Sequence, residues 1–207
     1  TFTVEDGGVP QRFGTSGESL TTPTLNSGST VTYTGDGDSA ADTITITTMI
    51  ATYHHLTINS TDGTTDTFQL GAALDVNGLL TLTAGTFDVS STVYGITVGG
   101  GWTDAGAGTF TERTGTVTFD GTGTINSNEA FNNVAVTASG TMTVSTNSLQ
   151  TGGTLAVSTG TLDMNGVAAT IAGLATVNGG TYTASTATQT FNAGLSVSSG
   201  TFTGSSG

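Results

Sequence analysis

The sequence predicts an all-β fold, a parallel β-helix (β-solenoid) with coils of about 20 residues, on three observations. First, Gly140-Thr141, Gly160-Thr161, Gly180-Thr181 and Gly200-Thr201 recur every 20 residues, each followed by a large apolar residue: Met142, Leu162, Tyr182 and Phe202. Second, the same period runs through Phe131, Thr151, Ile171 and Phe191, and through Val157, Val177 and Val197. A short period this regular means one structural unit copied along an axis. Third, the repeat is built from Thr, Val, Gly and aromatics, which favour extended chain, while strong helix formers are scarce. The main rival is a pair of β-sandwich domains, whose turns would fall every ~8–12 residues. A 20-residue repeat held over four units favours the solenoid.

Taken in order, residues 1–28 form an irregular N-terminal coil or joint segment, with both prolines, Pro10 and Pro23. Residues 29–207 form the solenoid, most regular over 131–207. Thr30-Val31-Thr32-Tyr33 alternates as a strand does. Asp36-Gly37-Asp38 with Asp42 makes a turn, and the next strand puts Ile44 and Ile46 on one face and threonines on the other. The segment 53–58 is a strand with Leu56 and Ile58 together, and 64–70 is a weaker one. From Leu74 the main frame emerges, and aligning Gly85 with Gly140 pairs Phe87 with Met142. A longer echo sets Tyr53-His54-His55-Leu56 against Phe131-Asn132-Asn133-Val134. Coils stack at about 4.8 Å, so about ten would make a rod on the order of 50 Å long. Met142, Leu162, Tyr182 and Phe202 then face inward, and the flanking threonines line an outer face. Gly140 and Gly180 are expected at corners with positive φ.

The segments 53–59 and 74–89, Val98-Gly99-Gly100-Gly101-Trp102 and residues 115–121 resemble the repeats of large secreted, adhesin-like surface proteins of bacteria. The resemblance extends in style over most of the chain from Ser29 onward. It implies a β-helical, extracellular, non-enzymatic protein, and it carries over no functional residue.

Charge narrows the function. Two Arg and no Lys stand against fifteen acids, for a net charge of −13. Nothing here neutralises phosphates, so nucleic acid and anionic membrane surfaces are excluded as partners. No apolar run is long enough to span a membrane. There is no Cys, hence no disulfide and no thiolate chemistry. Thr/Gly-rich, Lys-free repeats point to an extracellular or cell-surface location.

Among chemistry-bearing residues, Asp36, Asp38 and Asp42 offer oxygens to Ca²⁺, a hard cation, and are the one cofactor site the sequence suggests. His54 and His55 are neighbours in a strand and should point to opposite faces, so they do not share an ion. Asp75, Asp88 and Asp163 are scattered carboxylates, whereas a hydrolase needs two at a set separation. No enzyme is expected. Asn59-Ser60-Thr61 is the glycosylation sequon.

The open ends carry the leading functional expectation. The chain begins and stops in mid-coil, Thr1-Phe2-Thr3 matching Thr201-Phe202-Thr203, with neither charge nor proline to blunt the edge. Head-to-tail self-assembly follows, with Phe2, Val4, Val197 and Phe202 at the joint. The alternative is a binding module, in which the Thr-X-Thr ladder, resembling that of ice-binding solenoids, orders water or meets glycans.

Overall fold

The computed structural model describes residues 3–4, 8, 11–12, 24–46, 52–62 and 66–205. They form an all-β, almost wholly parallel solenoid of about eight turns, with coils of ~21 residues. Each coil is three-sided. The first face stacks Leu74–Val76, Ile96–Val98 and Thr116–Phe119, continuing through 133–136 and 155–157 to Ala175–Val177 and Leu195–Val197. The second stacks Thr30–Tyr33, His55–Asn59, 79–82, 101–104, Gly123–Asn126, 141–144, 161–163, Thr181–Thr183 and Thr201–Thr203. The third runs from Thr43–Ile46 through Thr67–Leu70, 86–88 and 109–111, and resumes at Leu149–Thr151, Ala169–Ile171 and Gln189–Phe191.

The eight turns are fewer than one coil per 20 residues would give, because the early coils are longer. Successive residues of one second-face column, Val31, Leu56, Leu80, Trp102 and Ile125, are 25, 24, 22 and 23 apart, against 20 between Met142, Leu162, Tyr182 and Phe202. The extra residues sit at corners, above all in the turn 34–42 between the second and third faces.

Alternation sorts the side chains as expected. Val157, Val177, Met142, Leu162 and Tyr182 are buried, each stacked on its equivalent one coil away, while Thr141, Thr143, Thr161, Thr181 and Thr183 are half-exposed. Each inward side chain contributes roughly 1.5–3 kcal/mol by burial. Mid-rod, the three faces meet through aromatics. Trp102 lies 4.8 Å from Phe110 and 5.3 Å from Phe131, centroid to centroid, and Phe131 is 6.0 Å from Phe119.

Two expectations about register change. Phe87 does not stand with Met142: it stacks between Phe68 and Phe110 on the third face, whereas Met142 belongs to the second. The Gly-Thr-aromatic signature therefore opens strands on two faces. Gly140 and Gly180 are also not positive-φ residues; Gly160 (φ 65) and Gly179 (φ 104) are. Gly140 and Gly180 are required by close approach instead. A Cβ on Gly140 would lie 2.2 Å from Thr122 Oγ1, and one on Gly180 would lie 2.8 Å from Val157 Cγ1.

Candidate functional sites

Three surface features follow from this geometry. The first is an acidic corner. The turns joining second to third face bring Asp36, Asp38 and Asp42 in one coil, Asp62 and Asp66 in the next, then Asp104, Glu129 and Asp163 in later coils, to the same edge of the rod. One carboxylate oxygen from each of Asp36, Asp38 and Asp42 lies within 4.8 Å of the others, and all three residues are exposed. Asp38 Oδ1 accepts from the Ala40 N–H at 2.7 Å, which shapes the turn. Desolvation and the charges of Asp36, Asp38, Asp66 and Asp62 push the Asp42 carboxyl above its usual range. Asp66 is fully buried and accepts from Ser60 Oγ at 2.9 Å, fixing the adjacent corner.

The second feature is a set of threonine columns. On the second face, Thr141, Thr161, Thr181 and Thr201 stand in register, beside a column of Thr143, Asp163, Thr183 and Thr203. Nearer the N-terminus, Thr32, Thr57, Thr81 and Thr103 form a column of their own, and Thr43, Thr67, Thr86 and Thr109 do so on the third face. Asp163 interrupts its column for a local reason: its Oδ1 accepts from the Asn165 N–H at 3.0 Å and starts the following turn.

The third feature is the coil spanning residues 189–203. Gln189–Phe191, Leu195–Val197 and Thr201–Thr203 each pair on one side only. Val197 is 45% exposed, and Phe191, Leu195 and Phe202 are partly buried. Phe202 stacks on Tyr182 with centroids 5.4 Å apart and planes at 6°. Of the remaining joint residues, Phe2 lies outside the described residues, and Val4 pairs through its backbone with Leu25.

No protein family, curated protein or solved structure matches the chain. The functional reading therefore rests on the residues themselves.

Asp75, Asp88 and Asp163 stand on three different faces and do not converge. Asp88 is buried beneath Arg113, whose Nε and Nη2 each donate to it at 2.8 Å, and beneath Gln69 Nε2 at 3.0 Å. Hydrogen bonding from the Arg113 guanidinium holds the Asp88 carboxyl below its usual range, against the opposing effect of its burial. Asp75 accepts from Thr52 Oγ1 at 3.2 Å.

The histidines do not point to opposite faces. They occupy a corner, where strand alternation breaks, and their rings meet edge to face at 4.4 Å. His55 Nδ1 accepts from the Leu79 N–H at 2.8 Å, and Asn133 Oδ1 accepts from the Thr154 N–H at 2.9 Å. The echo between these two stretches thus reflects one corner device used twice: a side-chain acceptor that holds the backbone of the following coil. In the sequon, Asn59 is half-exposed, Ser60 is buried, and Thr61 Oγ1 donates to the Thr34 carbonyl at 3.0 Å. Among the described residues, no helix is long and apolar enough to cross a membrane.

Proposed function

We propose that the chain is a structural subunit or segment of an extracellular β-solenoid filament or surface adhesin, joined head to tail. What supports this reading is the in-register parallel stacking on all three faces, carried through Gln189–Phe191, Leu195–Val197 and Thr201–Thr203, a geometry that one copy can pass on to the next. An uncharged parallel edge is a template for another strand. The joint differs from a simple match of Thr1-Phe2-Thr3 to Thr201-Phe202-Thr203. Thr3–Val4 pairs with Thr24–Leu25, which precedes a second-face strand just as first-face strands do in later coils. A second copy continuing the same winding therefore sets Thr3–Val4 against Leu195–Val197, and Gln11–Arg12 against Thr201–Thr203. Such a contact is heterologous and gives an open filament when the rotation does not close. The extracellular placement rests on the Lys-free, Thr- and Gly-rich repeats.

Electron microscopy and light scattering of the purified chain at neutral pH test the proposal. Wild type is expected to form fibres with a repeat near about 4.8 Å along the axis, and the double variant Val197→Lys, Phe202→Lys to remain as short rods with an unchanged β spectrum. Fibres of undiminished length from that variant would sink the joint, and wild-type rods dispersed at every concentration would sink self-assembly. The alternative reading, a threonine-ladder module for ordered water or glycan, is favoured by the in-register columns of Thr141, Thr161, Thr181 and Thr201. An absence of ice-growth inhibition and of glycan binding by dispersed rods would remove it.

A further inference from the structure

Asp104 is an inward-facing carboxylate in the middle of the rod. It follows Trp102 by two residues on the second face, takes the place that Leu82 takes one coil earlier, and is 2% exposed. Its Oδ1 accepts from the Gly106 N–H at 2.9 Å. Its Oδ2 is buried and has no hydrogen-bond partner. Leaving a carboxyl oxygen buried and unpaired is costly. The chain has few cations to offset that cost: it contains no Lys, and of its two Arg, Arg113 is committed to both oxygens of Asp88. His54 and His55 sit at a different corner.

The next coil delivers a second carboxylate to this place. Thr103 pairs with Asn126, so the turn 127–130 follows directly over the turn at 105–106. The contact is close: a Cβ on Gly106 would lie 2.6 Å from Asn128 Nδ2. Ser127 is buried, and its hydroxyl bonds the backbone carbonyl and N–H of Glu129, which fixes that turn. The Glu129 side chain is half-exposed and, like Asp104 Oδ2, accepts no hydrogen bond from the described residues. Burial and the charges of Asp104 and Glu112 push the Glu129 carboxyl above its usual range. Two carboxylates from adjacent coils thus share one corner, and among the described residues no cation pairs with either.

We propose that Asp104 and Glu129 bind a hard divalent cation, Ca²⁺, clamping two successive coils at this corner. Hard cations take carboxylate and neutral oxygens, and carbonyl oxygens of the turn with water complete such a shell. With only two carboxylates, the affinity falls in the range of extracellular modules, a Kd of about 0.1–1 mM. The site is separate from the exposed Asp36, Asp38 and Asp42 group, which lies several coils away.

Trp102 is the one tryptophan of the chain and lies two residues from Asp104, so it reports on this corner. Tb³⁺ replaces Ca²⁺, and its emission is read on excitation at the red edge, where tryptophan absorbs and tyrosine does not. The full-length wild type is expected to give saturable, Ca²⁺-competed emission and a Ca²⁺-dependent rise of several degrees in melting temperature. Asp104→Asn and Glu129→Gln should each weaken binding by at least about tenfold, while a triple variant, Asp36→Asn, Asp38→Asn and Asp42→Asn, keeps the tryptophan-sensitised signal. In chelator, Asp104→Asn should melt no lower than wild type, because a buried unpaired charge has gone. Should Asp104→Asn not fold, Glu129→Gln, altered at a half-exposed side chain, decides alone. Absence of a saturable signal in wild type, its survival in both single variants, or its loss in the triple variant would each overturn the assignment.

Discussion

Arg113 is one of only two cationic side chains besides the histidines, and it is committed to a single carboxylate. It closes over Asp88 with two hydrogen bonds of 2.8 Å, in the forked geometry that suits a carboxylate. Because the folded carboxyl is held below its unfolded value, the pair stabilises the fold above that unfolded value, about 3.9. The contribution is lost as pH falls through the lower, folded value. Arg113→Gln should therefore lower the urea midpoint at pH 7 and change it far less near pH 2. Equal losses at both pH values would remove the charge argument. Glu129 runs the other way. Its raised carboxyl favours the fold at low pH and loses that advantage as pH climbs through the folded value. Neither partnership is legible in the sequence, because Arg113 and Asp88 are 25 residues apart and meet only through the coil. Asp104 was closer to the surface of the text. Alternation from Trp102 places it inward, a signal that charge composition alone conceals.

At the scale of the strand and turn, glycine divides into two kinds. Gly101 has φ 109, and a Cβ there would lie 2.2 Å from the Thr124 carbonyl oxygen. Gly166 has φ 82 but open space around it. Gly101→Ala must both strain its own backbone and push two coils apart, so a loss of about 2–4 kcal/mol is expected, against about 1 kcal/mol for Gly166→Ala. Thermal melts of the two variants compare them directly. A similar shift for both would mean that coil contact adds nothing. This scale is also where the sequence was read best and misread most. Period and alternation sufficed for the coil, for the inward column of Met142, Leu162 and Tyr182, and for the outward threonines. They could not separate the second face from the third, since Gly-Thr-aromatic opens strands on both. Corners escaped for a related reason: a close approach such as Gly140 against Thr122 depends on a residue in another coil.

Across the whole molecule, contacts run mainly between neighbouring coils, so stability is close to a sum of coil and interface terms. A net charge of −13 on every copy opposes stacking of one rod on another. If the joint forms as proposed, added salt should promote it, because the Debye length falls from about 30 Å at 0.01 M to about 8 Å at 0.15 M. Light scattering across that range checks this. Assembly that weakens with salt would point to a joint held by charge rather than by the apolar edge of Val197 and Phe202. One feature of the coil reaches past assembly. The turn between second and third faces is long at 34–42 and short at 105–106, yet the strands on either side stay paired with those of the next or preceding coil. Length and chemistry at that corner are thus uncoupled from the scaffold. Foreign peptides spliced into successive turns would be displayed in single file, one per level, like rungs numbered along a ladder.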